Sequence, residues 1–483
     1  MFDSSKKDVI KFFIAKTFIG IIGLISISLY SSCLDPGEYG DYSLIIGLIN
    51  VLIAIFIGWI GSSSLRYYDN YKNEEVSFFS NVVIGSFIMI IISIIILYIS
   101  SKFFKNIPIE QYFVFSIVLF LILSYVDIYE KIFRASGKTN IYVFAILLQA
   151  CTNISLFYTL VKVYNLGIYA LMISSVVSNS LFLIIASSAL KISKKIKINK
   201  LNVELQKKFL SYGIPMIGVW GISWILNYCD RYIIALFYNS YSVGIYDMSY
   251  KLAESSINIL ITSFTLAIFP RLITTWNESG KNEAEKKVEE VLKYYFFITI
   301  PAILGLIFIS DKLYGTILDP MYKSGKNILI IVSIGMLFNG LCNILNKIWQ
   351  LNEKTKNIFY IMIVSSIVNV VLNLMLLPIY GIDIAALATL ISYLIANIIT
   401  YLLVRKEFKI IINYKSLIIT ILSCIPMCIF LFINSKNVNT LIGLLIEILI
   451  AIMIYFIFNI ILGNFKSELS MIKNRREQYE LQQ

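Results

Sequence analysis

Apolar stretches of about twenty residues recur along the whole of this 483-residue chain, and the gaps between them are too short to fold alone. Each stretch is long enough to cross roughly 30 Å of hydrocarbon as an α-helix. In lipid a backbone must satisfy its own hydrogen bonds, and a single span does so by becoming helical. The spans are predicted at 12–33, 42–64, 79–101, 112–133, 140–162, 168–190, 210–238, 244–270, 294–317, 327–349, 357–378, 382–404, 413–434 and 439–462. The expected fold is therefore all-α integral membrane, with about fourteen transmembrane helices. Composition agrees, since 58% hydrophobic residues against 14% charged ones leave no material for a sizeable soluble domain.

The spans also repeat. KIFRASGKT at Lys131 to Thr139 returns 216 residues later as KIWQLNEKT at Lys347 to Thr355. Asn140-Ile141 matches Asn357-Ile358, GIYALMISSVVSNSL from Gly167 matches GIDIAALATLISYLI from Gly381, and Gly40-Asp41-Tyr42 matches Gly244-Ile245-Tyr246. Repeats of an even helix number have parallel topology, related by an axis along the membrane normal, and such halves can rock about a shared site. The expected layout is an N-lobe at 1–190, a linker at 191–209, a C-lobe at 210–406, an added helix pair at 407–465 and a tail at 466–483. The lobes hold about six helices each.

Charge sets the orientation. With the N-terminus inside, about 31 of the 41 Lys and Arg residues fall on cytoplasmic segments and about 7 outside. Lys16, Arg231 and Lys251 fall within spans. An even span number puts MFDSSKKD and KNRREQYELQQ both in the cytoplasm. The net charge of +12 sits on short connections without a soluble fold, so anionic membrane lipids are the expected partner rather than nucleic acid. The linker KISKKIKINKLNVELQKK carries seven lysines against one Glu204 and is expected to lie on the membrane. NESGKNEAEKKVEEVLKY, from Asn277, is expected to extend the span at 294–317 into the cytoplasm.

Several classes are excluded. The chain has no histidine, which removes a His relay, a His metal ligand and a Ser-His-Asp hydrolase. Its six cysteines lie in or beside spans without zinc or disulfide spacing, so packing is their expected role. There is no GxxxxGK[ST] loop for nucleotide hydrolysis and no large outer loop for a glycan polymerase. The chain is expected not to be an enzyme and to need no cofactor.

FLSYGIPMIGVW at Phe209 to Trp220, NYCDRYIIALFYNSYSVGIYDMSYKLAE at Asn227 to Glu254, FPRL at Phe269, an Asn-rich stretch before LPIYG at Leu377 and small residues after Gly381 carry a resemblance. Over nearly its whole length the chain resembles the polysaccharide and lipid-linked oligosaccharide flippases of the multidrug/oligosaccharidyl-lipid/polysaccharide exporter superfamily. The resemblance implies two six-helix bundles around a central cavity, often with two added C-terminal helices. It implies as cargo an undecaprenyl-diphosphate-linked repeat unit of a capsule or O-antigen, moved from the inner to the outer leaflet of a bacterial plasma membrane by alternating access. Polymerase and chain-length machinery are the implied protein partners.

An ionisable group inside a bilayer is costly unless it faces a partner or a water-filled path. Arg231, Lys251 and Lys16 are therefore the candidate contacts for an anionic diphosphate head. Each has a plainer role open to it. Asp230 adjoins Arg231, Glu254 follows Lys251 by one turn, and Lys16 can snorkel to headgroups. Asp230, Glu254, Asp127 and Glu130 are the candidates for proton or sodium coupling or for gating, because only carboxylates remain for that work. Asp247 and Glu447 are also intramembrane carboxylates, the latter outside the repeated core. Asn50, Asn153, Asn179, Asn369 and Asn373 are expected mainly in interhelical hydrogen bonds, and Pro215, Pro301 and Pro426 are candidate kinks. Three alternatives stay open: a cation-coupled multidrug antiporter of the same superfamily, a lipid-linked peptidoglycan-precursor flippase, and a scaffold for glycan enzymes.

Overall fold

The computed structural model describes the backbone of residues 2–103, 108–434 and 440–464, with side chains from residue 18 onward except 103, 263 and 266–268. The Lys16 side chain and the tail at 466–483 lie outside the described residues. The elements are α1 (Phe2–Cys33), α2 (Pro36–Leu52), α3 (Gly58–Tyr67), α4 (Glu75–Phe103), α5 (Phe113–Ala135), α6 (Thr139–Tyr164) and α7 (Ile168–Leu190). They continue as α8 (Val203–Phe237), α9 (Ser240–Thr316), α10 (Lys326–Leu351), α11 (Thr355–Tyr380), α12 (Asp383–Val404), α13 (Tyr414–Ile433) and α14 (Leu441–Ile461). Among the described residues twelve helices are long and apolar enough to cross a membrane, and Phe18–Cys33 is a shorter apolar one. The protein is a multi-pass, all-helical membrane protein.

Two elements depart from a simple helix. α2 and α3 form one apolar passage interrupted by a π-helical turn at Ile53–Ile57. Such turns widen a helix and release a carbonyl from its usual partner. Just past the turn, the Lys131 ammonium of α5 donates at 3.2 Å to the carbonyl of Gly58, the first residue of α3, which also accepts from Ser62 Oγ. α9 runs for 77 residues, about 115 Å if straight. Yet the Tyr314 hydroxyl lies 2.9 Å from Ser249 Oγ at the other end. α9 is thus a hairpin of two passages, broken at Gly280, whose φ of 78° is open to glycine without a Cβ penalty. The predicted spans at 244–270 and 294–317 are its two arms, and the charged stretch from Asn277 is helical on both sides of the break.

The repeat is visible in the backbone. Gly137 and Glu353, at matching places in KIFRASGKT and KIWQLNEKT, both take positive φ, 68° and 56°. Gly167 and Gly381 do the same before α7 and α12, at 51° and 89°. The side chains echo this: Lys131 lies 5.5 Å from the Trp220 ring centre and Lys347 lies 4.4 Å from that of Phe269.

By packing, the chain forms two compact units, Met1–Met248 with Met362–Ala388, and Ser249–Ile361 with Thr389–Gln483. In the first unit α3 packs on α5 and α8, α7 on α5 and α6, and α1 on α6. Its core is built from fully buried residues such as Ile49, Phe120, Ile128, Phe133 and Phe182. In the second unit side chains tie helices through backbone carbonyls. Tyr295 donates to Leu337, Asn397 to Phe338 and Tyr455 to Phe297. The same unit holds a buried ion pair, Lys312 of α9 with Glu447 of α14.

Candidate functional site

The starts of α2 and α9 are the two helix ends that the repeat makes equivalent, and they meet. Asp35 caps α2 by accepting from the Gly37 and Glu38 amides at 2.7 and 3.0 Å, with Pro36 at the first helical position. A Cβ on Gly40 would lie 1.8 Å from the Ser240 carbonyl oxygen, and a Cβ on Gly244 would lie 1.8 Å from that of Pro36. Only glycine permits this crossing, because each backbone occupies the space that the other's side chain would fill.

Behind the crossing, α8 and the first turns of α9 run antiparallel through the short Tyr238-Asn239 connection and share a buried polar network. Arg231 donates from Nε and Nη2 to Asp247 Oδ1 at 3.0 and 2.9 Å, and from Nη1 to the Asn227 carbonyl. Its guanidinium carbon sits 5.2 Å from the Tyr246 ring centre and 5.6 Å from that of Tyr228, positions suited to cation–π attraction. The Tyr246 hydroxyl donates to Asp230 Oδ2 at 2.7 Å, and Asn373 Nδ2 of α11 donates to Asp230 Oδ1 at 2.9 Å. Asn373 also bonds the Asn369 carbonyl at 3.0 Å, while its own buried Oδ1 lacks a hydrogen-bond partner among the described residues. Asp230, Asp247, Tyr246, Asn369 and Asn373 are all fully buried and Arg231 is 2% exposed. In a dry interior such bonds are strong when complete and costly when cut.

Arg231 and Asp230, neighbours in sequence, thus share Tyr246 and otherwise bond different helices. Consecutive helical residues point in different directions: both reach Tyr246 of α9, but Arg231 bonds Asp247 of α9 while Asp230 accepts from Asn373 of α11.

A second cluster stands beside the π turn of the same unit. Lys131 pairs with Asp127 at 2.7 Å, one turn back on α5, and also holds Gly58 and faces Trp220. Asp127, a candidate for coupling or gating, is thus ion-paired in this arrangement. Glu130 is half-buried on the same helix. Nearby on α3, the Arg66 guanidinium lies 4.5 Å from the Tyr212 ring centre. Lys251 and Glu254 lie one turn apart on α9 in the second unit, both half-buried. Glu447 is buried against Lys312, a partner 135 residues away that the sequence did not single out. Its signal was present: Lys312 falls inside the apolar stretch 294–317. Among the described residues no cluster of His, Cys, Asp and Glu could hold a metal ion.

A family model described as polysaccharide biosynthesis protein matches residues 32–324. The probable lipid II flippase MurJ of Thermotoga maritima is 23% identical over 232 residues, 47% of each chain. The probable flippase AglR of Haloferax volcanii is 20% identical over 398 residues, 80% of each chain. The chain therefore spans about half the length of the Thermotoga relative and four fifths of the Haloferax one. Among solved structures, the lipid II flippase MurJ in its inward closed conformation superposes with a TM-score of 0.76 at 19% identity, covering 94% of this chain and 99% of that one. The fold is that of this group of membrane transporters.

Proposed function

The chain belongs to the polysaccharide biosynthesis protein family, and from that premise we propose that it is a flippase for an undecaprenyl-diphosphate-linked oligosaccharide. The cargo would be a repeat unit of a capsule or O-antigen, carried from the inner to the outer leaflet of a bacterial plasma membrane with both termini cytoplasmic. The relatives named as flippases support the transport class. The observation that carries the mechanism is the reciprocal glycine crossing of α2 and α9. Two helix starts made equivalent by an internal repeat meet without side chains between them, so they can part and meet again without repacking a core. That is the contact a rocking transporter needs at one mouth.

In this mechanism the crossing is the closed outer mouth, and the diphosphate enters from the opposite end. Lys251 and Lys16 are the proposed cationic contacts for the phosphates, and Arg231 joins them in that role when the mouth opens. With the mouth closed, Asp247 holds Arg231, so the residue sets α8 against α9. Asp230 is the proposed coupling carboxylate for a proton or a sodium ion. It is buried, and the Asn373 oxygen on α11, without a hydrogen-bond partner among the described residues, offers a further acceptor beside it. Asp127 and Glu130 would act at the inner gate, with Lys131 steadying the π turn, and Glu254 would balance Lys251. No bond of the cargo is made or broken.

The test is leaflet exposure of a fluorescent polyprenyl-diphosphate oligosaccharide in proteoliposomes. Exposure above protein-free vesicles for a capsule or O-antigen type glycan supports the proposal. Exposure of a peptidoglycan precursor alone, or uptake of organic cations without lipid movement, would replace it with one of its rivals.

A further inference from the structure

At the C-terminal end of α7, in the first unit and away from the α2, α8 and α9 network, two depressions share a floor. The first, of about 420 Å³, runs over Val83 of α4, Tyr125 and Tyr129 of α5, and Leu183 and Ile184 of α7, and ends at Ser187 and Ser188. The second, of about 300 Å³, begins at the same two serines and continues to Lys191, Ser193 and Lys194. An apolar groove therefore leads straight into a pocket of hydroxyls and ammonium groups. Ile184 on its wall is 63% exposed, as a lipid-facing residue would be.

The lysines are held in place by their own segment. Lys191 takes a left-handed φ of 55° and caps α7, its amide donating to the Ser187 and Ser188 carbonyls. Beyond it the chain is fastened to α4. Lys195 pairs with Glu75 at 2.7 Å and lies 5.0 Å from the Phe79 ring centre, the Lys197 amide donates to Ser80 Oγ at 2.8 Å, and Ser77 donates to the Lys200 carbonyl at 3.1 Å. Glu75 thus neutralises Lys195, while Lys191 and Lys194 stay exposed and make no ion pair among the described residues.

We propose that this groove is a binding site for one anionic phospholipid. An acyl chain lies between α4, α5 and α7 on the apolar residues, and the phosphate sits at the end of α7. There it accepts hydrogen bonds from Ser187, Ser188 and the Lys191 and Lys194 ammonium groups. Charge-assisted bonds to a phosphate are the stronger kind, the two ammonium groups offset the partial negative charge of the α7 C-terminus, and basic pockets between membrane helices bind anionic headgroups. The lipid ties the segment that joins the two sequence repeats to the flank of the first. That it comes from the cytoplasmic leaflet rests on the proposed orientation; the site itself does not.

The test is native mass spectrometry of the full chain in detergent, titrated with phosphatidylglycerol and with phosphatidylcholine. The intact protein should bind phosphatidylglycerol in preference. At about fivefold per lysine, the Lys191→Gln/Lys194→Gln variant should bind it roughly 25-fold more weakly. Ile184→Trp, which fills the groove, should weaken both lipids. Lys197→Gln/Lys200→Gln, with the same loss of charge, should change neither. Equal weakening in that control, no preference between the lipids, or displacement by inorganic phosphate would overturn the site. So would a polyprenyl phosphate that outcompetes phosphatidylglycerol through the same lysines. Labelling of Ser193→Cys from outside intact cells would overturn only the leaflet, and with it the orientation of the flippase.

Discussion

Gly40 and Gly244 hold matching places in the two repeats, and each lies against the other's helix start, Gly40 on the Ser240 carbonyl and Gly244 on the Pro36 carbonyl. The contact is symmetric in chemistry as well as in position. A pair of equivalent surfaces meeting face to face has two stable arrangements, packed and apart, because packed contacts do not stretch continuously.

A methyl group at either glycine must push the helices apart. Gly40→Ala or Gly244→Ala is expected to cost the closed arrangement about 1–3 kcal/mol, the usual penalty of overpacking. Thiol labelling of Ser32→Cys and Tyr241→Cys, both exposed near these helix ends, should report the shift without requiring cargo. Unchanged labelling in both variants would mean that the crossing adapts instead of opening.

The Arg231–Asp247 pair should behave as a buried ion pair. Removing one partner strands the other charge in a dry site, so Arg231→Met or Asp247→Leu alone is expected to destabilise by about 3–5 kcal/mol. The double variant should recover most of that loss. Thermal unfolding in one detergent reads the cycle, and simple additivity would show that the two residues act separately. If Arg231 also holds cargo, the double variant should fold and yet flip poorly.

These pairings mark where the sequence stops being legible. The spans follow from apolar length, and the repeat follows from glycines and lysines at nearly constant spacing, as Gly167 and Gly381 display in their backbone angles. Partner choice does not follow. Asp230 is next to Arg231 in sequence, yet its carboxylate accepts from Tyr246 and from Asn373, which is 143 residues away, because direction on a helix decides. Lys312 and Glu447 lie in different passages 135 residues apart, and no local pattern joins them. The π turn at Ile53–Ile57 has no sequence mark at all, although the lysine that bonds the Gly58 carbonyl just past it stands in the repeat.

Lys312 and Glu447 fasten the added C-terminal pair to α9. Lys312→Met is expected to lower thermal stability by an amount typical of a stranded buried charge, about 3–5 kcal/mol, and Lys312→Met/Glu447→Leu to restore it. A melting temperature that stays low in the double variant would point to a role for the charges beyond holding the helices.

Asp230→Asn keeps the shape of the side chain and its acceptor for Tyr246, but removes the charge. If Asp230 couples transport to an ion, flipping driven by a proton or sodium gradient should fall to the gradient-free rate in this variant and persist in Asp127→Asn. The same gradient response in Asp230→Asn as in the intact protein would move coupling to another carboxylate.

In the proposed mechanism the α2–α9 crossing opens as cargo passes. The most direct measurement is the distance between spin labels at Ser32→Cys and Tyr241→Cys in nanodiscs, in a variant lacking the six native cysteines, with and without a polyprenyl-diphosphate oligosaccharide. A single short distance alone, joined by a longer population when the cargo is added, is the predicted result. One unchanged distance under turnover, with flipping active in the same preparation, would contradict it.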